Sequence, residues 1–356
     1  MIDLVTILKT AVSSGASDIH ICVGKPPMMR LNGEIVPVAA TMPPLNAEGT
    51  KALIYSALYD EQRAKFEANW ELDCSFAITG VSRFRLNVLV ARNGIEAVMR
   101  VIPSIIPTPE QLGLVPAIVN LSTLHKGLVL VTGPTGSGKS TTLAAVLDLI
   151  NQRKKGHMLT IEDPIEFTYE AKNCVIRQRE IGQHTKSFSN ALRAALREDP
   201  NIILVGEMRD LETIQLTITA AETGHLSFAT LHTQDAPSTV DRIIDVFPPH
   251  QQTQVRVQLS SALQAVVSQI LLPRKDGKGR VAAREIMIMT PAIANLIREG
   301  KTHMIYSAIE TGAKTGMISM DKALVNLVKQ NLVEFDVALA KAHDQETFKK
   351  LCSMGV

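Results

Sequence analysis

The 356-residue chain is poor in aromatic residues, which make up 4% of it, and it has a single tryptophan. Proteins that grip single-stranded nucleic acid stack bases on aromatic rings along a basic groove. The basic half of that pairing is weak too, because 37 Lys and Arg against 35 Asp and Glu leave a formal charge of +2. So small a net charge supplies no long-range pull toward a polyanion or an anionic membrane. These scarcities predict a protein that does not act on nucleic acid. The four cysteines, Cys22, Cys74, Cys174 and Cys352, are far apart and make no C-x-x-C pair. That spacing argues against zinc or dithiol chemistry and for free thiols in a reducing compartment. Also missing are a run of about 20 apolar residues and a basic-then-apolar leader. The expectation is a cytoplasmic protein with no direct membrane span, whose membrane contact goes through a partner.

What is present is a folded chain. Residues are 46% hydrophobic and 20% charged, and 21 Gly with 17 Pro are too few for a disordered or fibrous protein. At roughly 150 residues per domain the length suggests two domains. Residues 4–12 carry the 3.6-residue apolar period of a helix that Gly15 stops. Residues 19–22 read as a strand, 28–38 as a hairpin turning on Asn32 and Gly33, and 47–59 and 61–69 as helices. Strands at 83–91 and 95–102 flank a second hairpin signal, Asn93 with Gly94. The first region, 1–102, is therefore α+β. Pro103, Pro107 and Pro109 then mark a linker, 103–112.

From Gly127 onward the pattern changes to short apolar runs at 128–131, 158–161, 202–205 and 226–230, alternating with helical periods. Strands apolar at nearly every position suit a sheet covered on both faces by helices, so an α/β domain is expected over 113–356. Beyond about Pro248 it reads as mostly helical, with one strand near 281–289, and a helical C-terminal subdomain is expected from about 270.

Within this domain Gly133, Pro134, Thr135, Gly136, Ser137, Gly138, Lys139 and Ser140 match G-x-x-x-x-G-K-[ST], with Thr141 next. The match lies between an apolar strand and a helix, which is the context the motif requires. By average residue usage it would arise by chance in about one chain of this length in a hundred, before that context is demanded. Glycines let successive N–H groups and the helix N-terminus close on an anion. Lys139 would reach the β and γ phosphates, and the Ser140 hydroxyl is placed to ligate Mg²⁺. ATP with Mg²⁺ is the expected ligand. Hydrolysis also needs a carboxylate to position water or take its proton. Glu207 ends the apolar run 202–205, at the edge where α/β sheets bind ligands. Glu162, Asp163 and Glu166 follow the preceding run, and His232 follows the next.

Four segments in this order resemble the secretion and pilus superfamily of hexameric ATPases. They are the Walker A loop, an aspartate box from Thr160 to Glu166, a Walker B segment from Gly206 to Asp210, and a histidine box from Ala229 to Thr233. The similarity extends to Ser17, Asp18 and His20, to Ser82, Arg83 and Arg85, and to Glu222 and His225, so it covers nearly the whole chain. Within that superfamily the chain looks like the PilT-type retraction ATPases. The resemblance implies an N-terminal PAS-like domain and a RecA-like P-loop core with a helical C-terminal region. It also implies a homohexamer that acts on an inner-membrane pilus platform protein, peripheral to that membrane, in company with a paralogous retraction ATPase. By the same resemblance Glu207 is the catalytic base, Glu162 and Asp163 arrange metal and water, and His232 senses or stabilises the phosphates.

Family members also place arginines of the N-terminal domain against the nucleotide. Strand alternation puts Arg83, Arg85 and Asn87 on one face and Phe84, Leu86 and Val88 on the other. If Asn93 and Gly94 form a two-residue turn, Asn87 pairs with Arg100, which makes Arg85 and Arg100 diagonal neighbours on a polar face. Two clustered cations call for an anion; a solvated basic strand face is the alternative, and the resemblance implies that Arg85 and Arg100 are arginine fingers acting on ATP. One segment departs from the retraction-type pattern: Ala294 stands where the family's A-I-R-N-L-I-R-E has an arginine. The departure leaves an accessory retraction paralogue open. An extension or type II secretion ATPase would usually add a longer N-terminal region and a tetracysteine zinc module, neither of which is here. A scaffold with vestigial hydrolysis would not need Lys139, Ser140 and Glu207 intact.

Overall fold

The computed structural model describes residues 3–31, 33–102 and 105–353. The chain divides into two compact units, Met1–Ile105 and Ile106–Val356. The expected turn residue Asn32 and the prolyl segment at Pro103 lie outside the described residues.

The first unit runs α1 (Leu4–Ser13), β1 (Asp18–Ile21), β2 (Met28–Leu31), β3 (Glu34–Pro37), α2 (Ala47–Tyr55), α3 (Asp60–Asn69), β4 (Glu71–Ile78), β5 (Ser82–Ala91) and β6 (Gly94–Ile102). Its strands form one antiparallel sheet in the order β3-β2-β1-β6-β5-β4. The Asp3 carboxylate caps α1 by accepting the Thr6 N–H at 2.8 Å, and the helix buries Leu4, Ile7, Leu8 and Ala11. These meet Leu53 and Ile54 of α2, Phe66 of α3, and Phe84, Leu86 and Val88 of β5 in one core. Fully burying side chains of this size is worth roughly 1.5–3 kcal/mol each. Alternation sends Arg83, Arg85 and Asn87 to the other face, as expected.

Two expectations for this unit need correction. Residues 47–59 are not one helix, because α2 ends at Tyr55 and Ser56 caps it. The hairpin turns on Arg92 and Asn93, not on Asn93 and Gly94, since Ala91 pairs with Gly94. Gly94 is thus a strand residue, and Arg85 lies directly opposite Arg100. The register differs by two residues, an even slip that keeps every side chain on its expected face.

The second unit runs α4 (Pro116–Val119), β7 (Gly127–Thr132), α5 (Lys139–Arg153), β8 (His157–Glu162), β9 (Val175–Glu180), α6 (Phe188–Ala195), β10 (Ile202–Val205), α7 (Leu211–Glu222), β11 (Leu226–Leu231), α8 (Ala236–Asp245) and α9 (Pro249–Ala262). Then come β12 (Leu263–Pro273), β13 (Arg280–Ile288), α10 (Pro291–Arg298), α11 (Ile305–Thr311), α12 (Met320–Lys329), α13 (Phe335–Leu339) and α14 (Gln345–Ser353). The sheet order is β13-β12-β7-β11-β10-β8-β9, parallel except for β13. Alternate residues of β7 feed two cores: Leu128 and Leu130 pack among α7, α8 and α9, and Val129 and Val131 pack against α5. A continuous apolar run is the signature of a strand covered on both faces.

The region from about 270 does not begin as a helical subdomain. Strands β12 and β13 extend the core sheet, and helices take over only at Pro291. They include α10, whose Ile293 and Ile297 are fully buried, with Leu296 packed against the same core. Ala294 is buried on the flank of that face, and Arg298 is exposed.

Candidate nucleotide site

The carboxyl ends of β7, β8, β10 and β11 all lead into residues singled out from the sequence. Beyond β7 the chain makes the glycine loop, and Lys139 opens α5 directly after Gly138, which holds a left-handed φ of 86° as the helix cap. At Gly133, φ is 136° and a Cβ would stand 2.1 Å from the Gln269 carbonyl oxygen, so only glycine fits. The Lys139 ammonium donates to the Gly133 carbonyl (2.8 Å) and the Pro134 carbonyl (3.1 Å), curling back over the loop. Burial pulls its pKa below the ordinary value, an effect that the charges of Glu207 and Glu166 oppose. Pro134, Thr135 and Gly136 are exposed, Ser140 and Thr141 are half-buried in the first turn of α5, and Ser137 is buried. The buried Ser137 hydroxyl has no hydrogen-bond partner among the described residues. An orphaned donor in a concave glycine loop at a helix N-terminus fits an oxyanion ligand.

Glu207 follows β10 in a segment held by its neighbours: the Gly206 N–H donates to the Ile161 carbonyl (2.7 Å) and the Met208 N–H to the Thr230 carbonyl (3.1 Å). One carboxylate oxygen lies 2.7 Å from Arg209 Nη2 and the other 2.9 Å from His232 Nε2. Burial would raise the Glu207 pKa, but the Arg209 and His232 contacts outweigh it and hold the carboxyl below its ordinary value. Glu207, Arg209, His232, Thr233 and Arg242 line a cleft of about 290 Å³. The site therefore presents an ionised carboxylate, able to accept a hydrogen bond from water, on the same sheet edge as the phosphate loop.

Glu162 is 7% exposed and both its oxygens are engaged. Oε1 accepts from Thr160 Oγ1 (2.6 Å) and Gln178 Nε2 (3.3 Å), and Oε2 accepts the Glu166 N–H (3.3 Å). Burial pushes its pKa up to about 7 against the pull of those donors. In this arrangement Glu162 braces the 163–166 loop, and Asp163, at the loop's start, is exposed.

Arg85 and Arg100 belong to the first unit, and each already has a carboxylate of its own sheet. Arg85 donates to both oxygens of Asp73, at 3.2 and 2.5 Å. Arg100 Nε donates to Asp18 Oδ1 at 3.0 Å. The inference that two clustered cations require an outside anion is thereby corrected, because Asp73 and Asp18 supply the counter-charge. The Arg85–Asp73 pair is substantially exposed, and exposed pairs are worth under about 1 kcal/mol, so Arg85 can exchange partners cheaply, whereas Asp18 is only 8% exposed and keeps Arg30 alone, at 3.9 Å, if Arg100 departs. Arg83 donates to the Ser75 hydroxyl.

Two residues of the second-unit site escaped sequence reasoning. Arg209 lies inside the quoted 206–210 segment, and its position two residues from a strand-end carboxylate was the available signal. Gln269, which touches the phosphate loop, lies on β12, a strand not recognised from the sequence.

The family model described as type II/IV secretion system protein matches residues 1–336. The chain belongs to this family. Within it, the chain is 53% identical over 346 residues to the type IV pilus retraction ATPase PilT of Pseudomonas aeruginosa, covering 97% of this chain and 100% of that one. It is 39% identical to the type IV pilus ATPase PilU of the same organism, covering 98% of this chain and 91% of that one. A crystal structure of the pilus retraction motor PilT with bound ADP superposes with a TM-score of 0.92 at 46% identity, covering 98% of this chain and 100% of that one. Family membership thus accounts for the α/β core, the preceding α+β unit and the helical C-terminal region together.

Proposed function

We propose that this chain is an ATP-hydrolysing hexameric motor that drives type IV pilus retraction and with it twitching motility. The observation that carries the reading is 53% identity to a pilus retraction ATPase along that protein's entire length. In this reading the 133–141 loop binds ATP, and Lys139 leaves the Gly133 and Pro134 carbonyls for the phosphate oxygens. No group of three His, Cys, Asp or Glu among the described residues could hold a metal ion. A cation here would draw most of its ligands from the nucleotide, which suits Mg²⁺ arriving with ATP and taking Ser140 as a protein ligand. Glu162 and Asp163 are the nearby acidic groups assigned to water and metal in the same scheme.

Glu207 orients the attacking water and takes its proton, which requires its bonds to Arg209 and His232 to loosen. His232 reports the state of the phosphates through its contact with Glu207. Arg85 and Arg100 trade Asp73 and Asp18 for the developing charge on the γ-phosphate, which couples hydrolysis to movement of the first unit. Among the described residues no helix is long and apolar enough to cross a membrane. We assign the motor to the cytoplasmic face of the inner membrane, held there by a platform protein of the pilus machine.

The accessory retraction role is the second reading, favoured by Ala294 at the position of a family arginine and opposed by the lower identity to PilU. Turnover of the purified protein beside Glu207→Gln tests the chemistry. The substitution is expected to lower hydrolysis 100-fold or more with nucleotide binding retained, and equal rates from the two would overturn the motor. Deleting the gene tests the role: hyperpiliated, non-twitching cells support retraction, and loss of pili would refute it.

A further inference from the structure

Gln269 is 1% exposed in the middle of β12, and it bears directly on the phosphate loop. Its Nε2 donates to the Ser137 carbonyl. Its Oε1 accepts from Thr142 Oγ1 (2.8 Å), one turn into α5, and from Arg284 Nε (2.9 Å). Arg284 Nε, which can only donate, and the Ser137 carbonyl, which can only accept, fix which way the amide faces, since the flipped amide would set an N–H against the one and an oxygen against the other. Arg284 is the cross-strand partner of Gln269 on β13. It has no carboxylate partner among the described residues, and burial lowers its pKa to about 10. Its other recorded bond goes to the Leu112 carbonyl at 3.2 Å. A largely buried guanidinium without an anion is costly. Its donors go to two neutral acceptors, the Leu112 carbonyl and the Gln269 amide it orients.

The consequence for the loop follows from peptide geometry. In a trans peptide the carbonyl and the next N–H point in opposite directions. Tying the Ser137 carbonyl to β12 therefore turns the Gly138 N–H away from β12. A glycine loop holds phosphate only while such N–H groups converge. The contact is close along its length: a Cβ at Gly138 would fall 2.9 Å from Gln269 Nε2.

We propose that Gln269, oriented by Arg284, is a positioning residue that keeps the phosphate loop in its nucleotide-binding form. The inference rests on the reading of residues 133–141 as a nucleotide site. Gln269→Glu is the discriminating variant. It keeps an acceptor for Thr142 and gives Arg284 a carboxylate, yet sets a second oxygen against the Ser137 carbonyl. Affinity for a fluorescent ADP analogue with Mg²⁺ would be titrated at pH 8 beside the thermal midpoint without nucleotide. The expected result is a Kd weakened about tenfold or more, with the midpoint unchanged within about 3 °C. In parallel, Arg284→Met weakens binding and Arg284→Lys restores part of it. Wild-type affinity in Gln269→Glu overturns the proposal, as does a loss of affinity that tracks a falling midpoint. Should Gln269→Glu fail to fold, the Arg284 pair decides, and equal affinity of Met and Lys variants refutes the role. A wild-type chain that fails to bind the analogue refutes the nucleotide site itself, a failure distinct from either.

Discussion

Glu285, the residue after Arg284 on β13, links titration to stability. It is 1% exposed on β13. It accepts the Ala236 N–H at 2.9 Å and the Met320 N–H at 3.4 Å, so one carboxyl joins the first turns of α8 and α12. Burial, helped by the charges of Asp235 and Asp321, raises its pKa from 4.5 to about 7 against the pull of the two N–H donors. Between those values the folded protein holds a proton that the unfolded chain has released. Stability therefore falls as pH rises through that window, is fully present below 4.5, and levels off above about 7. At about 1.4 kcal/mol per pH unit the full span is worth roughly 3 kcal/mol. Glutamine cannot titrate, so the perturbation is Glu285→Gln, and the assay is the thermal midpoint of both proteins from pH 5 to 8.5. Groups remote from Glu285, such as Glu162 on β8, titrate alike in both proteins and cancel. The variant should gain on the wild type by roughly 5–10 °C across the range, at about 2–4 °C per kcal/mol for a unit of this size. Two parallel curves would refute the reasoning, because they would mean that Glu285 has the same pKa folded and unfolded.

Gly133→Ala should weaken nucleotide binding at least tenfold by calorimetry, since it forces a side chain into a left-handed φ and onto the Gln269 carbonyl. Retained affinity would show that the loop can shift freely. Arg85→Ala combined with Arg100→Ala should cut ATP turnover about 1,000-fold if these groups act on the γ-phosphate, while stability falls by about 1–2 kcal/mol, since Arg85–Asp73 is an exposed pair but the buried Asp18 loses one of its two arginines. Unchanged turnover would remove the arginines from the mechanism.

The central strands were legible because burial on both faces writes an unbroken apolar run, as in residues 202–205. What stayed hidden had weaker local signals. Strand β9 follows Val175 and Ile176 with Arg177, Gln178 and Arg179, without alternation, and it lies at the edge of the sheet where polar residues are tolerated. Strand β12 follows α9 without a break, since Leu263 both caps the helix and opens the strand, so no turn residue marks the change. Strand β4 carries a period-two pattern through Leu72, Cys74 and Phe76, and its omission hid Asp73 as a partner of Arg85. Of the site, the loop, Glu207 and His232 could be read from motif and context. The partners of Glu207, Arg85 and Arg100 could not, because side chains meet across strands whose order the sequence does not state.

Register in the first unit's sheet places Ser75, Arg85, Arg100, Asp18 and Arg30 in one row across five neighbouring strands. Like charges placed directly opposite one another repel, and Asp18, which meets Arg100 at 3.0 Å and Arg30 at 3.9 Å, is the carboxylate interleaved among them. Loss of Asp18 alone would leave three guanidinium groups within four neighbouring positions of the row and no carboxylate among them. Genetic drift here is thus a compound event: a lineage can shed Asp18 comfortably only by also shedding an arginine encoded elsewhere, as far as 82 residues away. The row ties the substitution histories of separate strands together, and a descendant that broke it at one point would be expected to carry the compensating change at another.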